Sequence, residues 1–172
     1  MSNQIPKLAT VLAVALSAPA FSVLPAKTSI SVEAQVSTSV QVYVDGKDVT
    51  GGTVMVKLAE TSGYMGGVTP PFFFIGNASS VNLSLETPPG DLLISRDNPT
   101  DTMKINSAWV RVDGGEVSAA YPLNNQAVYP TLADVPDPQR GVRVRFTSSQ
   151  RTETYPLGTY SGTYVITVKP NT

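Results

Sequence analysis

The 172-residue sequence contains no cysteine and no histidine. The first absence excludes disulfide bonds, thiolate nucleophiles and thiolate metal ligands, and the second excludes imidazole ligands, histidine general bases and serine–histidine triads. Charged residues are also few, at 15% of the chain, and they nearly cancel to a net charge of −1. This balance favours neither nucleic acid nor an anionic membrane surface as a partner. Carboxylates, lysine and tyrosine are the only general acids or bases left.

A helical pattern of apolar residues is missing as well, except in the first apolar run of the chain. The 13 glycines and 14 prolines indicate many turns, and short stretches between them alternate apolar and polar residues. This pattern predicts an all-β fold, a single immunoglobulin-like antiparallel β-sandwich. We predict strands over 28–44, 53–60, 72–75, 80–86, 91–95, 102–112, 117–121, 141–147 and 158–169, with loops over 63–69 and 123–138.

The N-terminus has the features of a secretory signal peptide. Lys7 precedes an apolar run over 8–20, and small residues and proline follow it. We assign residues 1–22 to the signal, with cleavage between residues 20 and 26. A membrane anchor is the alternative, but the apolar run is short and ends in proline. The sequence therefore predicts that the protein is exported.

The longest alternating stretch of the sequence runs from residue 28 to residue 44. Its even positions are mostly apolar and its odd positions are polar, which predicts a strand with one buried face. Fully extended, these residues would reach about 56 Å, whereas a domain of this size is only roughly 38 Å across. Either the strand breaks and changes sheets near residues 37–39, or residues 28–36 bury their apolar row against another molecule.

Three pairs of carboxylates are candidates for acid–base chemistry. They are Asp45 with Asp48, Asp97 with Asp101, and Asp134 with Asp137. Each pair falls in a predicted loop, where aspartate commonly stabilises turns. Paired carboxylates could hydrolyse glycosides, but the geometry this needs is set in space and not in sequence. We therefore assign no catalytic residue, no metal site and no cofactor.

Four arginines near the C-terminus are candidates for contact with a glycan: Arg140, Arg143, Arg145 and Arg151. Arg143 and Arg145 share one face of a predicted strand, so a basic stripe could hold sulfated or sialylated glycans through forked guanidinium contacts. The alternative is a solvated strand face paired with Glu153 or with acids across the sheet. The run Phe72–Ile75 is likewise either a strand buried on both faces or an exposed aromatic binding patch.

The two ends of the chain carry patterns that point to a known family. Residues 26–36 begin with Ala-Lys and then alternate Ile30, Val32, Ala34 and Val36; residues 158–169 begin with Gly-x-Tyr-x-Gly and alternate Gly158, Tyr160, Gly162, Tyr164, Ile166 and Val168. With the lack of cysteine, these patterns resemble the CS1 type (alpha, class 5) fimbrial major subunits of the chaperone–usher pathway. One departure is Ser37-Thr38, because that family commonly has Val-Asp-Pro just after the donor segment.

The resemblance implies an incomplete immunoglobulin-like fold that is completed by donor-strand exchange. Residues 23–38 would be the donor strand, with Ile30, Val32, Ala34 and Val36 as its buried side chains, and residues 39–172 would form the domain. The implied protein is a structural subunit and not an enzyme, exported through the periplasm into a surface fibre that supports adhesion. Its implied partners are identical or related subunits, a periplasmic chaperone and an outer-membrane usher.

Two further expectations concern partners. A host glycan is a candidate partner through the four arginines, and nucleic acid is not expected. The alternative to a fibre subunit is a monomeric secreted β-sandwich that binds carbohydrate. Its mark would be a self-complete fold that gains nothing from an added strand.

Overall fold

The computed structural model describes residues 38–171, which form fourteen β-strands and three one-turn 3-10 helices. The helices are Pro89–Asp91, Leu132–Asp134 and Thr152–Thr154. The strands are β1 (Val40–Val44), β2 (Lys47–Asp48), β3 (Ala59–Thr61), β4 (Tyr64–Val68), β5 (Phe72–Gly76), β6 (Ser80–Glu86), β7 (Leu92–Ser95), β8 (Thr102–Val110), β9 (Glu116–Ser118), β10 (Leu123–Gln126), β11 (Val128–Tyr129), β12 (Arg143–Ser148), β13 (Tyr160–Ser161) and β14 (Val165–Asn171).

The strands make three sheets. Their orders are β11-β5-β1-β2, β10-β6-β14 and β13-β7-β8-β12-β4-β3, and β9 also pairs with β8. All strand pairs in the described residues are antiparallel except β11 with β5. β10 lies beside β6 and β11 lies beside β5, so one short segment passes from one sheet to another. The result is the all-β, immunoglobulin-like sandwich that the sequence predicts.

The core consists of the inward rows of these alternating strands. On β8 the row includes Ile105 and Trp109, and the neighbouring β12 places Val144 directly opposite Trp109. Trp109 is fully buried, and its indole Nε1 donates a hydrogen bond to the main-chain oxygen of Tyr121 at 3.1 Å. This bond satisfies the only polar atom of that side chain. Trp109 is therefore fully buried without leaving an unpaired hydrogen-bond donor.

The run Phe72–Ile75 lies in β5, and all four of its side chains are buried. Of the two interpretations of this run, the strand buried on both faces is therefore the one that the structure shows. β5 pairs with β1 on one side and with β11 on the other, so it lies inside its sheet. This position explains why the run has no polar row.

Several predicted segments differ from the structure, among them the predicted strand 117–121, where β9 ends at Ser118 and a turn follows. Residues 63–69, predicted as a loop, contain β4, and residues 123–138, also predicted as a loop, contain β10 and β11. The predicted strand 53–60 is extended chain without pairing until Ala59. The glycines of β4 explain the error over 63–69, because a Cβ on Gly67 would lie 2.9 Å from Leu58 Cδ2. Glycine there allows close approach, not a turn.

The predicted signal peptide, 1–22, lies outside the described residues, as does the predicted donor segment, 23–38, apart from its last residue. β1 begins at Val40, so it takes up only the last part of the alternating stretch 28–44. Within residues 38–171, no helix has the length and apolar character needed to cross a membrane.

Candidate functional site

The strand β14 is a long sheet edge. It pairs with β6 over seven residues, from Val165 opposite Glu86 to Asn171 opposite Ser80. Among residues 38–171, no strand pairs with its other side. The other terminal strands of the three described sheets, β2, β3, β10, β11 and β13, have two to four residues each. Short edges of this kind resist pairing with other chains, and β14 is the exception.

The inward row of β14 is incompletely covered. Val168 lies opposite Leu83 of β6, and Ile166 lies opposite Leu85, so these pairs share the core face of the sheet. Leu83 is only 1% exposed, whereas Ile166 and Val168 are only partly buried. Burial of the inward side chains therefore decreases from β6 to β14, over one strand spacing of about 4.8 Å. An apolar strand laid on this edge would find both an apolar row and unpaired main-chain groups.

The burial of the inward side chains also varies along strand β1. Val44 is buried, but Val40 and Val42, on the same face, are only partly buried against the core. On the side of β1 that faces away from β5, both main-chain groups of Val42 are hydrogen-bonded. Its N–H donates to Thr50 Oγ1 and its carbonyl accepts from the N–H of Val49, both at 2.8 Å. This strand is therefore closed to further pairing at Val42, in contrast to β14.

Tyr164 precedes the open edge. Its ring lies 4.8 Å from the ring of Phe146, tilted by 54°. Its hydroxyl is buried and has no hydrogen-bond partner among the described residues. Burial raises the pKa of Tyr164 to about 12, and the carboxylate of Asp91 adds to the effect. The phenol therefore stays protonated at neutral pH, and its hydroxyl is a hydrogen-bond donor without an acceptor among residues 38–171.

The far end of β14 is held by a cluster of amide side chains. Asn171 Nδ2 donates to Ser80 Oγ at 2.9 Å and to Asn82 Oδ1 at 3.1 Å, and Asn82 Nδ2 donates back to Asn171 Oδ1 at 3.0 Å. The main-chain oxygen of Asn171 accepts two more bonds, from the N–H and the hydroxyl of Ser79. Pro170 lacks an N–H, which is tolerated in an edge strand. These bonds hold the register of β14 on β6.

The predicted closing strand, 158–169, is two strands in two sheets. Tyr160 lies in β13 on the edge of β7, whereas Ile166 and Val168 lie in β14, and residues 162–164 connect them. Glycine lets the chain pass close to β7 at the crossing, because a Cβ on Gly162 would lie 2.7 Å from Leu93 Cδ2. Before β13, a Cβ on Gly158 would lie 3.0 Å from Ser95 Oγ. The prediction of one continuous strand is wrong at this crossing.

The predicted donor residues Ile30, Val32, Ala34 and Val36 lie outside the described residues. Sequence reasoning did not find the amide cluster around Asn171. The only signal for it was a proline followed by asparagine at the end of an alternating stretch. The partners Ser79, Ser80 and Asn82 are about 90 residues away in the chain.

The four candidate arginines divide into two pairs. Arg145 Nε lies 3.0 Å from Glu116 Oε1, and Arg151 Nε lies 2.5 Å from Glu153 Oε1. The guanidinium group of Arg151 also lies 5.9 Å from the centre of the Tyr64 ring. The hydrogen bond with Glu153 raises the pKa of Arg151. These two arginines match the interpretation of a solvated, ion-paired face.

Arg140 and Arg143 have weaker partners. Arg140 Nε lies 3.9 Å from Asp137, and Arg143 donates a hydrogen bond to the main-chain oxygen of Gln139. Arg143 has no carboxylate within ion-pair distance among the described residues. Arg140 is therefore loosely paired, and Arg143 has no acidic partner within residues 38–171.

Three of the paired aspartates serve local turns, whereas Asp97 Oδ2 accepts the N–H of Thr159, 62 residues away, at 3.2 Å. Asp48 accepts the N–H of Thr50 at 2.8 Å, Asp134 accepts the N–H of Thr131 at 3.0 Å, and Asp137 accepts the N–H of Gln139 at 2.9 Å. Hydrogen bonds from Thr50 lower the pKa of Asp48. Residues 38–171 contain no group of three or more acidic side chains arranged to hold a metal ion.

Comparison with known proteins finds similarity among solved structures alone. The sequence matches no family model and no curated protein. Among solved structures, it is similar to a chain of a chaperone–tip adhesin complex described as vital for synergistic activation of CFA/I fimbriae biogenesis, with 17% sequence identity and a TM-score of 0.48. The match covers 77% of this chain, which spans only 42% of that one.

Proposed function

We propose that this chain is a structural fimbrial subunit of the chaperone–usher type, which polymerises by donor-strand exchange into a surface fibre. The observation that carries the proposal is the edge of β14, which no strand within residues 38–171 covers. There Val168 is partly exposed opposite the buried Leu83, and Ile166 is partly exposed opposite the partly buried Leu85. The N-terminal segment has the complementary pattern, with one apolar side chain at every second residue from Ile30 to Val36. Its resemblance to CS1 type major subunits supports the same role.

The energetics favour such an exchange. Each isoleucine or valine that the donor buries contributes roughly 1.5–3 kcal/mol, and Ala34 contributes less. Main-chain hydrogen bonds along β14 fix the register and add to affinity. The alternating row also specifies which face turns inward, since a shift by one residue would put the polar row of the donor against the core.

The assembly follows from one donor and one acceptor on each subunit. The contact joins two different surfaces, so it does not close on itself and produces an open filament. Before assembly, an exposed apolar edge is an aggregation hazard. A periplasmic chaperone that covers β14 and an outer-membrane usher that releases it are therefore part of the proposal. The subunit has no catalytic role and needs no cofactor.

The test compares two substitutions in the donor segment of the full chain. Val32→Asp puts a charge on the apolar row, and Ser31→Asp puts the same charge on the polar row one residue away. We expect the wild type and Ser31→Asp to form polymers that sediment with a broad distribution and resist SDS. We expect Val32→Asp to remain monomeric with an unchanged far-UV circular dichroism spectrum.

A synthetic peptide of residues 27–37 sharpens this test. Added to the Val32→Asp protein, it should occupy the edge and raise the midpoint of thermal unfolding, whereas a peptide with Val32→Asp should not. A wild-type protein that stays monomeric, and whose Val32→Asp variant gains nothing from the peptide, would overturn the proposal. That result would favour a self-complete, monomeric secreted β-sandwich.

A further inference from the structure

Two adjoining depressions lie beside the end of β8 and the start of β12. Their volumes are about 410 and 380 Å³, and both are lined by Arg111, Val112, Asp113 and Arg140. Arg143 lines the second depression only. Both depressions are open to solvent and share most of their lining, and a volume of this size is within the roughly 300–1,000 Å³ that is usual for sites of small ligands such as a sugar ring.

The charges around the depressions favour an anion. Three guanidinium groups face two carboxylates, those of Asp113 and Asp137. The carboxylate of Asp113 already has hydrogen-bond partners within the protein. It accepts two bonds from Arg111, the shorter at 2.6 Å, and one from the N–H of Gly115 at 2.8 Å. The bond from Gly115 and the pairing with Arg111 lower the pKa of Asp113. Asp113 therefore stays ionised and orients Arg111.

Arg143 supplies the unpaired positive charge, and Arg140 is only loosely paired with Asp137. Asp137 accepts the N–H of Gln139 and lies 3.9 Å from Arg140, and among the described residues Arg143 bonds only to the main-chain oxygen of Gln139. Guanidinium groups present forked donors that match a carboxylate or sulfate group. Val112, which is 44% exposed, adds an apolar surface within the same depressions.

We propose that these depressions bind an acidic saccharide, whose carboxylate or sulfate group contacts Arg140 and Arg143 and whose ring packs on Val112. Arg145 and Arg151 do not take part, because Glu116 and Glu153 already neutralise them. The inference is independent of polymerisation, since it uses neither β14 nor the N-terminal segment.

The experiment uses two double variants with equal loss of charge. Arg140→Gln with Arg143→Gln removes the proposed contacts, and Arg145→Gln with Arg151→Gln is the matched control. Binding of 3′-sialyllactose, 6′-sulfolactose and neutral lactose to the full chain is measured by ligand-observed NMR and calorimetry. We expect the first variant to bind both acidic sugars roughly tenfold or more weakly and the control to bind them like the wild type.

The outcomes separate the sources of affinity. Weaker binding of sialyllactose alone, or of sulfolactose alone, supports the site and identifies the anionic group that it prefers. Equal weakening in the two double variants would mean that net charge alone attracts the sugars and would overturn the proposal. Lactose bound as tightly as the acidic sugars, or no binding of any sugar by the wild type, would also overturn it.

Discussion

Strands β12 and β14 have the same kind of sequence but different positions in the fold. Both alternate apolar and polar residues, with Val144 and Phe146 inward on β12 and Ile166 and Val168 inward on β14. β12 lies between β8 and β4, and Val144 is completely buried. Within residues 38–171, β14 has β6 on one side only, and its inward row is partly exposed. Of these two strands, the one with a neighbour on each side has the better covered row.

The largest difference in stability between the two strands is expected when a charged side chain replaces a valine of each inward row. Val144→Asp would bury an unpaired carboxylate opposite Trp109, at a cost of about 4 kcal/mol or more. Val168→Asp should cost only about 1–2 kcal/mol, because Val168 is only partly buried and water reaches it. Both are made in the Val32→Asp background, so that assembly adds no stability, and urea unfolding is followed by circular dichroism. Equal losses would remove the distinction between the strands.

The second test releases the end of β14. Asn171→Ala removes the side-chain bonds to Ser80 and Asn82 and should cost about 1–2 kcal/mol. Amide hydrogens over 165–169 should then exchange faster. Asn106→Ala is the control, since Asn106 is exposed on β8 and has no side-chain hydrogen bond within residues 38–171. If both variants exchange alike, the amide cluster does not hold β14.

The third test concerns the hydroxyl of Tyr164. Its pKa is raised from about 10 in the unfolded chain to about 12 in the folded state. The unfolded state therefore loses this proton first, and stability should fall by about 1 kcal/mol as pH rises from 9 to 11. Tyr164→Phe should weaken this dependence and be neutral or slightly stabilising at pH 7, because a buried hydroxyl without a partner is removed. Urea unfolding at pH 7, 9 and 11 measures both effects.

The smallest effect is expected on the outward face of β12. Arg145 and Glu116 are both nearly half exposed, at 48% and 43% of their side-chain surfaces. Glu116→Gln should therefore change the free energy of unfolding by no more than about 0.5 kcal/mol. A loss above 1 kcal/mol, measured at low and high salt, would show that this ion pair is more than a solvated surface contact.

Local patterns in the sequence were enough to predict many elements. The alternation over residues 80–86 predicts a strand, and β6 has those bounds. The apolar run from Phe72 predicts a fully buried strand, which is β5. The predictions were wrong where glycine has a packing role, as at Gly67 in β4 and Gly162 between β13 and β14. One residue type serves both turns and close approach, so its role depends on the neighbouring strand.

The candidate site was predicted only in part. The alternation of Ile166 and Val168 indicates an inward row, but no local pattern shows that the row lies at an edge. The sequence also did not show which of the four arginines are paired with acids, because Glu116, the partner of Arg145, is 29 residues away in the chain. The carboxylate that orients Arg111, by contrast, is only two residues from it.

The sequence by itself determined which side chains of each strand share a face, because successive residues of an extended chain point to opposite sides. It also determined the absence of thiol and imidazole chemistry, since that depends on composition alone. Only the tertiary structure decided which alternating strand became central and which became an edge. That choice depends on pairing between residues far apart in the chain, such as Val168 with Leu83, and the alternation of one strand contains no information about the number of its neighbours.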